Sequence, residues 1–60
     1  MRDPKRIKRI LNLIKTAWNR VPDWRLGQLI SNISKQNDPF YFEDDKLEEE
    51  LKRIIKENII

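Results

Sequence analysis

The sequence predicts an all-α fold, a three-helix mini-domain that forms a single domain over residues 1–60. Apolar residues recur at steps of three and four in three separate segments, which is typical of amphipathic helices. A proline next to an aspartate precedes each segment, and both residue types mark the starts and ends of helices. The chain is long enough for one small domain only.

The first helix is predicted over residues 4–21. Asp3 is expected to cap its free amide groups, and Pro4 suits the first helical position, where its missing N–H costs nothing. Pro22 ends the helix, because the residue before a proline is pushed away from helical dihedrals. The apolar stripe that should face the core consists of Ile7, Ile10, Leu11, Ile14, Ala17, Trp18 and Val21.

The second helix is predicted over residues 24–35, with Asp23 as its N-cap. Gly27 inside a helix costs about 1 kcal/mol relative to alanine, which predicts a close approach of helix 1 backbone or of the Trp18 ring. Asn37 is a plausible left-handed C-cap, and Pro39 prevents the helix from resuming. The apolar face consists of Leu26, Leu29, Ile30 and Ile33.

An aromatic loop over residues 38–44 leads into the third helix, predicted over 45–58. In an extended segment Phe40 and Phe42 share one side and are expected to seal the core, which leaves Tyr41 partly exposed. Asp45 and Glu48 form a capping-box pair. The helix is predicted to bury Leu47, Leu51, Ile54 and Ile55, and to carry the i, i+4 ion pairs Glu48–Lys52 and Glu49–Arg53.

Leu13 and the Ile59–Ile60 tail lie off these stripes. A core this small rarely yields more than about 3–5 kcal/mol of net stability, so a homo-oligomer is one hypothesis for how the tail and Leu13 are covered.

Composition excludes most catalytic chemistry. The chain has no Cys and no His, which rules out a disulfide framework, a thiol nucleophile, an imidazole base and a Cys/His zinc site. The acidic run Glu43, Asp44 and Asp45 is explained by helix capping and lacks the alternating spacing of a calcium loop. We therefore expect a protein that is not an enzyme and holds no metal or cofactor.

No apolar run approaches the roughly 18–20 residues of a membrane span, and the basic N-terminus leads into an amphipathic pattern rather than the apolar block of a secretory signal. These features predict a cytoplasmic protein. An amphipathic helix 1 lying on an anionic membrane is disfavoured, because its bulky stripe is needed as the surface on which the other helices pack.

Charge is distributed unevenly. Residues 1–35 contain nine basic and two acidic residues, a net of +7, whereas residues 36–60 contain four basic and eight acidic ones, a net of −4. Such asymmetry predicts either attraction between the two halves or a basic surface that meets an anionic partner.

Nucleic-acid binding is the alternative function, because a helix-turn-helix reader carries basic and amide groups on its second helix. Arg25, Gln28 and Asn32 lie at i, i+3 and i+7, although any polar face could show that pattern. A second source of positive charge is the basic cluster at the start of helix 1, which consists of Arg2, Lys5, Arg6, Lys8 and Arg9. The candidate contacts are Arg2, Lys5, Arg6, Arg9, Arg25 and Lys35.

One pattern spans nearly the whole sequence. It consists of Trp18, of Pro22-Asp23-x-Arg25-Leu26-Gly27-Gln28-Leu29-Ile30-x-Asn32 and of Asp38-Pro39-Phe40-Tyr41-x-Glu43-Asp44-Asp45-x-Leu47. In this pattern the chain resembles a small family of bacterial and phage proteins with no known activity. The resemblance implies a short prokaryotic or phage protein of the cytoplasm, and it transfers no functional residue.

Four side chains remain that the fold does not require: Arg25, Gln28, Asn32 and Tyr41. We interpret them as the surface of a small regulatory or protein-interaction module that binds a partner through helix 2 and the aromatic loop. In a second interpretation, Arg25 pairs with the carboxylates of residues 43–45 and clamps the loop against helix 2.

Overall fold

A computed structural model describes residues 2–35 and 38–60 and confirms the predicted all-α, three-helix fold. The helices are α1 (Lys5–Arg20), α2 (Leu26–Ser34) and α3 (Asp44–Lys56), with a single 3₁₀ turn (Pro39–Tyr41) between α2 and α3. The predicted boundaries were right to within two residues at all six helix ends.

The central element is α3, because α1 packs along it and α2 packs on it and on the 3₁₀ turn. Each helix contributes two hydrophobic side chains to the buried core, which consists of Ile10, Ala17, Leu29, Ile33, Leu51 and Ile54. The predicted face of α3 is confirmed, since Leu47 and Ile55 pack against this core.

The predicted stripe of α1 is partly wrong. Leu13, expected off the stripe, packs against the core, whereas Ile7 and Leu11 are 52% and 58% exposed. The physical reason is that α1 carries two apolar rows: the row around Ile10 and Ala17 is buried, whereas the second row reaches the core only through Ile14 and Trp18.

The capping predictions were right for α1 and wrong for α2. The Asp3 carboxylate accepts a hydrogen bond from the Lys5 backbone N–H at 2.9 Å. At α2, by contrast, Arg25 is the N-cap residue, no side chain caps the helix, and Asp23 lies in the preceding turn. That turn is held instead by the Trp18 indole, whose Nε1–H donates to the Trp24 carbonyl at 2.8 Å.

Gly27 does not mark a close approach. A Cβ built on it would meet nothing within 4 Å, and the residue is exposed, so nothing in the structure explains this glycine. At the other end of α2, Lys35 has a positive φ of 58°. The predicted C-cap Asn37 lies outside the described residues.

The aromatic loop forms the 3₁₀ turn rather than an extended strand. Asp38 caps the turn by accepting from the Phe40 backbone N–H at 3.0 Å. Because the alternation of an extended segment is lost, Phe40 does not seal the core and is 84% exposed, while Tyr41 is 76% exposed. Phe42 packs against the core as predicted.

The start of α3 also differs from its prediction. No capping box forms: Asp45 accepts from the Lys46 backbone N–H at 3.0 Å, and Glu48 pairs with Arg9 and Lys52. The Glu48–Lys52 pair is confirmed at 3.4 Å.

The Glu49–Arg53 pair was wrong, since Arg53 pairs with Glu50 and Glu57 and Glu49 lies nearer Lys46. In the tail beyond α3, Ile60 packs against the core and Ile59 is 55% exposed.

Candidate functional site

A seam of ion pairs joins the basic half of the chain to its acidic half. The Arg6 guanidinium donates to Asp44 at 2.7 Å, and Arg2 donates to Glu43 at 3.2 Å. Arg9 reaches Glu48 with two parallel bonds of 2.8 and 3.2 Å. The predicted attraction between the two halves is therefore confirmed, and it holds α1 against the start of α3.

Glu48 is the most enclosed carboxylate of this seam, with a side chain that is 13% exposed. Hydrogen bonding from Arg9 is the largest cause that lowers its pKa below the ordinary value, and Lys52 acts in the same direction. The same pairing raises the pKa of Arg9.

Acid is expected to weaken the fold through Glu48. Because folding lowers its pKa, its stabilising contribution is present above the ordinary value of 4.5 and is lost as the pH falls through the lower folded value. The urea midpoint of the wild type should therefore fall more steeply below about pH 4.5 than that of Glu48→Gln. Glu49→Gln is the control, because it removes the same charge from a side chain of the same helix that is 71% exposed. Superimposable pH profiles for wild type and Glu48→Gln would contradict this role.

Most of the cations proposed to contact nucleic acid already form ion pairs within the protein. Besides Arg2, Arg6 and Arg9, Lys35 lies 3.6 Å from Glu50. Within residues 2–35 and 38–60, only Lys5 and Arg25 of that candidate set lack an ion pair. A polyanion would have to displace carboxylates from four of its six proposed contacts.

The four predicted partner-binding residues are all exposed. The Asn32 amide donates to the Gln28 carbonyl at 2.8 Å, and Asn32 lines a hollow between α2, α3 and Ile60. Tyr41 stands on the 3₁₀ turn, edge to face with Phe40 at 4.9 Å between ring centroids. Among the described residues, no side-chain hydrogen bond joins Arg25 to the other three.

The predicted clamp is wrong. Glu43 and Asp44 are paired with Arg2 and Arg6, and Asp45 is bonded to the start of α3. In the part of the chain that the structure describes, no ion pair links Arg25 to these carboxylates. Two of the three are paired with arginines at the N-terminal end of the chain instead.

An apolar groove between α1 and the start of α2 is the surface that the sequence interpretation missed. It has a volume of about 500 Å³. Leu11 on one wall is 58% exposed, and Leu26 on the other is 42% exposed. Its lining consists of Leu11, Ile14, Lys15, Trp18, Asn19, Pro22 and Leu26.

The groove follows from the local sequence. Ile7, Leu11, Ile14 and Trp18 form the second apolar row of α1, at steps of four, three and four. After α1 ends, Pro22 and the following turn carry the chain across, so that Leu26 faces this row. The Trp18 bond to the Trp24 carbonyl fixes the wall nearest the turn.

The side of α1 next to the groove carries lysines without carboxylate partners. Lys8 and Lys15 lie seven residues apart and so on one face of α1; they take part in no ion pair within residues 2–35 and 38–60, and Lys15 lines the groove itself. The arginines of α1 are used differently: Arg6 and Arg9 pair with carboxylates of α3, and Arg20 donates to the Ile55 carbonyl at 2.9 Å. The groove therefore combines an apolar floor with a cationic rim.

The described residues contain no group of three or more potential metal ligands. Their helices are too short or too polar to cross a bilayer. Comparisons with models of known families, with curated proteins and with solved structures gave no match to this chain.

Proposed function

We propose that the protein is a non-enzymatic interaction module of bacterial or phage origin that acts in the cytoplasm by binding another protein. The observation that carries this proposal is the apolar groove. Burying a leucine completely contributes about 1.5–3 kcal/mol, and this small domain leaves about half of the surface of Leu11 and of Leu26 in water. An apolar patch rimmed by polar groups is typical of a binding surface, where a partner recovers that energy.

The 3₁₀ turn is the second surface in this proposal. Phe40 and Tyr41 are its most exposed large side chains, and aromatic residues are enriched in interface cores. In this proposal the two aromatic side chains form an auxiliary contact with the partner, together with Arg25, Gln28 and Asn32 of the α2 segment. The groove is the primary anchor, since its apolar residues converge on one concavity.

Capture from extracts of the native cells tests this function. Wild type should retain a protein whose binding Leu11→Ser weakens by at least about tenfold, since truncating a hot-spot anchor costs about 2 kcal/mol or more. Ile59→Ser is the matched control, because Ile59 is 55% exposed and lies outside the groove. Tyr41→Ser reports whether the aromatic turn contributes.

Two results would contradict the proposal. The first is that Leu11→Ser and Ile59→Ser retain the same proteins as the wild type. The second is that nucleic acid is recovered in place of protein and is released between about 50 and 200 mM salt, as neutralised phosphates require; that result would establish the alternative function.

A further inference from the structure

We infer that the groove of α1 and α2 binds an amphipathic helix whose apolar face is flanked by acidic residues. This inference rests on the proposed function and adds the chemistry of the partner.

The shape of the groove fits a helix. Its α1 wall runs from Leu11 to Trp18, which at 1.5 Å per residue is about 10 Å, or two helical turns. An incoming helix places apolar side chains at i, i+3 or i+4, and i+7 over that length. The opposite wall at Leu26 and Pro22 makes the site concave, which suits a cylinder rather than a flat surface.

The charge of the rim selects an acidic partner. Every arginine of α1 is bonded to α3 or to the C-terminal tail, whereas the side-chain ammonium groups of Lys8 and Lys15 have no carboxylate within 4 Å among the described residues. The acids of this half of the chain, Asp3 and Asp23, lie beyond the two ends of α1. Unpaired cations around an apolar floor favour glutamates and aspartates that flank an apolar stripe.

Two other occupants fit less well. A lipid surface would be met by aromatic N–H groups free to reach headgroups, but the Trp18 indole is bonded internally to the Trp24 carbonyl. In a second copy the acidic helix is α3, whose apolar face is already covered by α1 and α2. The partner is therefore a different protein.

A defined peptide tests the inference with Trp18 as the reporter. Trp24→Phe leaves Trp18 as the sole tryptophan of the chain. The probe is a helix of about 14 residues, long enough to be partly helical alone, with leucines at i, i+4 and i+7 and flanking glutamates. We expect a saturable change in Trp18 fluorescence with this peptide, and binding at least about tenfold weaker with lysines in place of the glutamates.

Matched variants separate the rim from the net charge. Lys15→Glu should weaken binding of the acidic peptide at least about fivefold more than Lys56→Glu, which changes the net charge equally on α3. Leu11→Ser should abolish saturation within the same concentration range. Equal effects of the two lysine variants would overturn the assignment of the rim.

Other outcomes would overturn the inference that the groove binds an acidic helix, but they would leave the proposed function standing. They are equal binding of the basic peptide, a response to anionic phosphatidylserine vesicles in place of the peptide, and a dimer by sedimentation that buries Trp18. Capture of a partner that depends on Leu11 but presents no acidic helix would also overturn the inferred occupant and leave the proposed function standing. If Leu11 variants still capture every partner, it is the proposed function that fails.

Discussion

Leu51→Ala is expected to leave a large fraction of the molecules unfolded at room temperature. Leu51 lies in α3, the helix on which both others pack, and none of its surface is exposed. A buried leucine cut to alanine costs about 2–5 kcal/mol, and a single core of this size supplies about 3–5 kcal/mol in total. The substitution therefore removes most of the stability of the domain.

Urea titration followed by far-ultraviolet circular dichroism measures this loss. Leu11→Ala is the control, because the same atoms are removed from a side chain that is 58% exposed. Its free energy of unfolding should match that of the wild type to within about 0.5 kcal/mol. Equal midpoints for Leu51→Ala and wild type would mean that α3 is not the centre of the core. Equal losses in the two variants would place Leu11 in the core as well.

The helices were predictable because their apolar spacing has one solution. In α3, the leucines and isoleucines from Leu47 to Ile55 share a single face, and the structure uses that face. In α2, Leu29 and Ile33 are buried as expected, whereas Leu26, predicted on the same face, is exposed because it lies at the first turn of the helix, beside the groove. Periodicity reports which residues share a face, and for these two helices there is only one face to choose.

The same pattern is ambiguous in α1. The row Ile7, Leu11, Ile14 and Trp18 and the row Ile10, Ala17 and Val21 both satisfy helical spacing, and no local signal says which row meets α3. The ion pairs decide it, because Arg6 and Arg9 reach α3 from the side of Ile10. Those pairs depend on residues more than 35 positions away, so the exposed row and the groove could not be located from local spacing.

The partner-binding residues stay a prediction, and the groove was missed for a related reason. Polar side chains were selected because the fold did not require them, but binding energy comes mainly from apolar anchors that the fold leaves exposed. A usable signal was present in α1: Lys8 and Lys15 lie on a different side of the helix from its arginines. Arginine suits carboxylate pairing, as in the two-bond contact of Arg9 with Glu48, which left these two lysines to mark the side without ion pairs.

Ala17→Leu is expected to destabilise the protein by about 1–3 kcal/mol, the usual cost of overpacking a core. Ala17 is completely buried in α1, and one turn further on Arg20 is bonded to the Ile55 carbonyl of α3 at 2.9 Å. This contact prevents α1 from moving away to admit three more carbon atoms. Leucine has nearly the helix propensity of alanine, so a change in stability reports packing.

Thermal unfolding distinguishes this effect from a general effect of leucine. Ala17→Leu should lower the Tm by about 5–20 °C, since 1 kcal/mol corresponds to about 4–8 °C in a domain of this size. Thr16→Leu, at the exposed neighbouring position, should leave the Tm within a few degrees of the wild type. If the two variants melt together, α1 and α3 do not meet at Ala17. The second apolar row of α1 would then be free to pack on α3, and the groove would lose its floor.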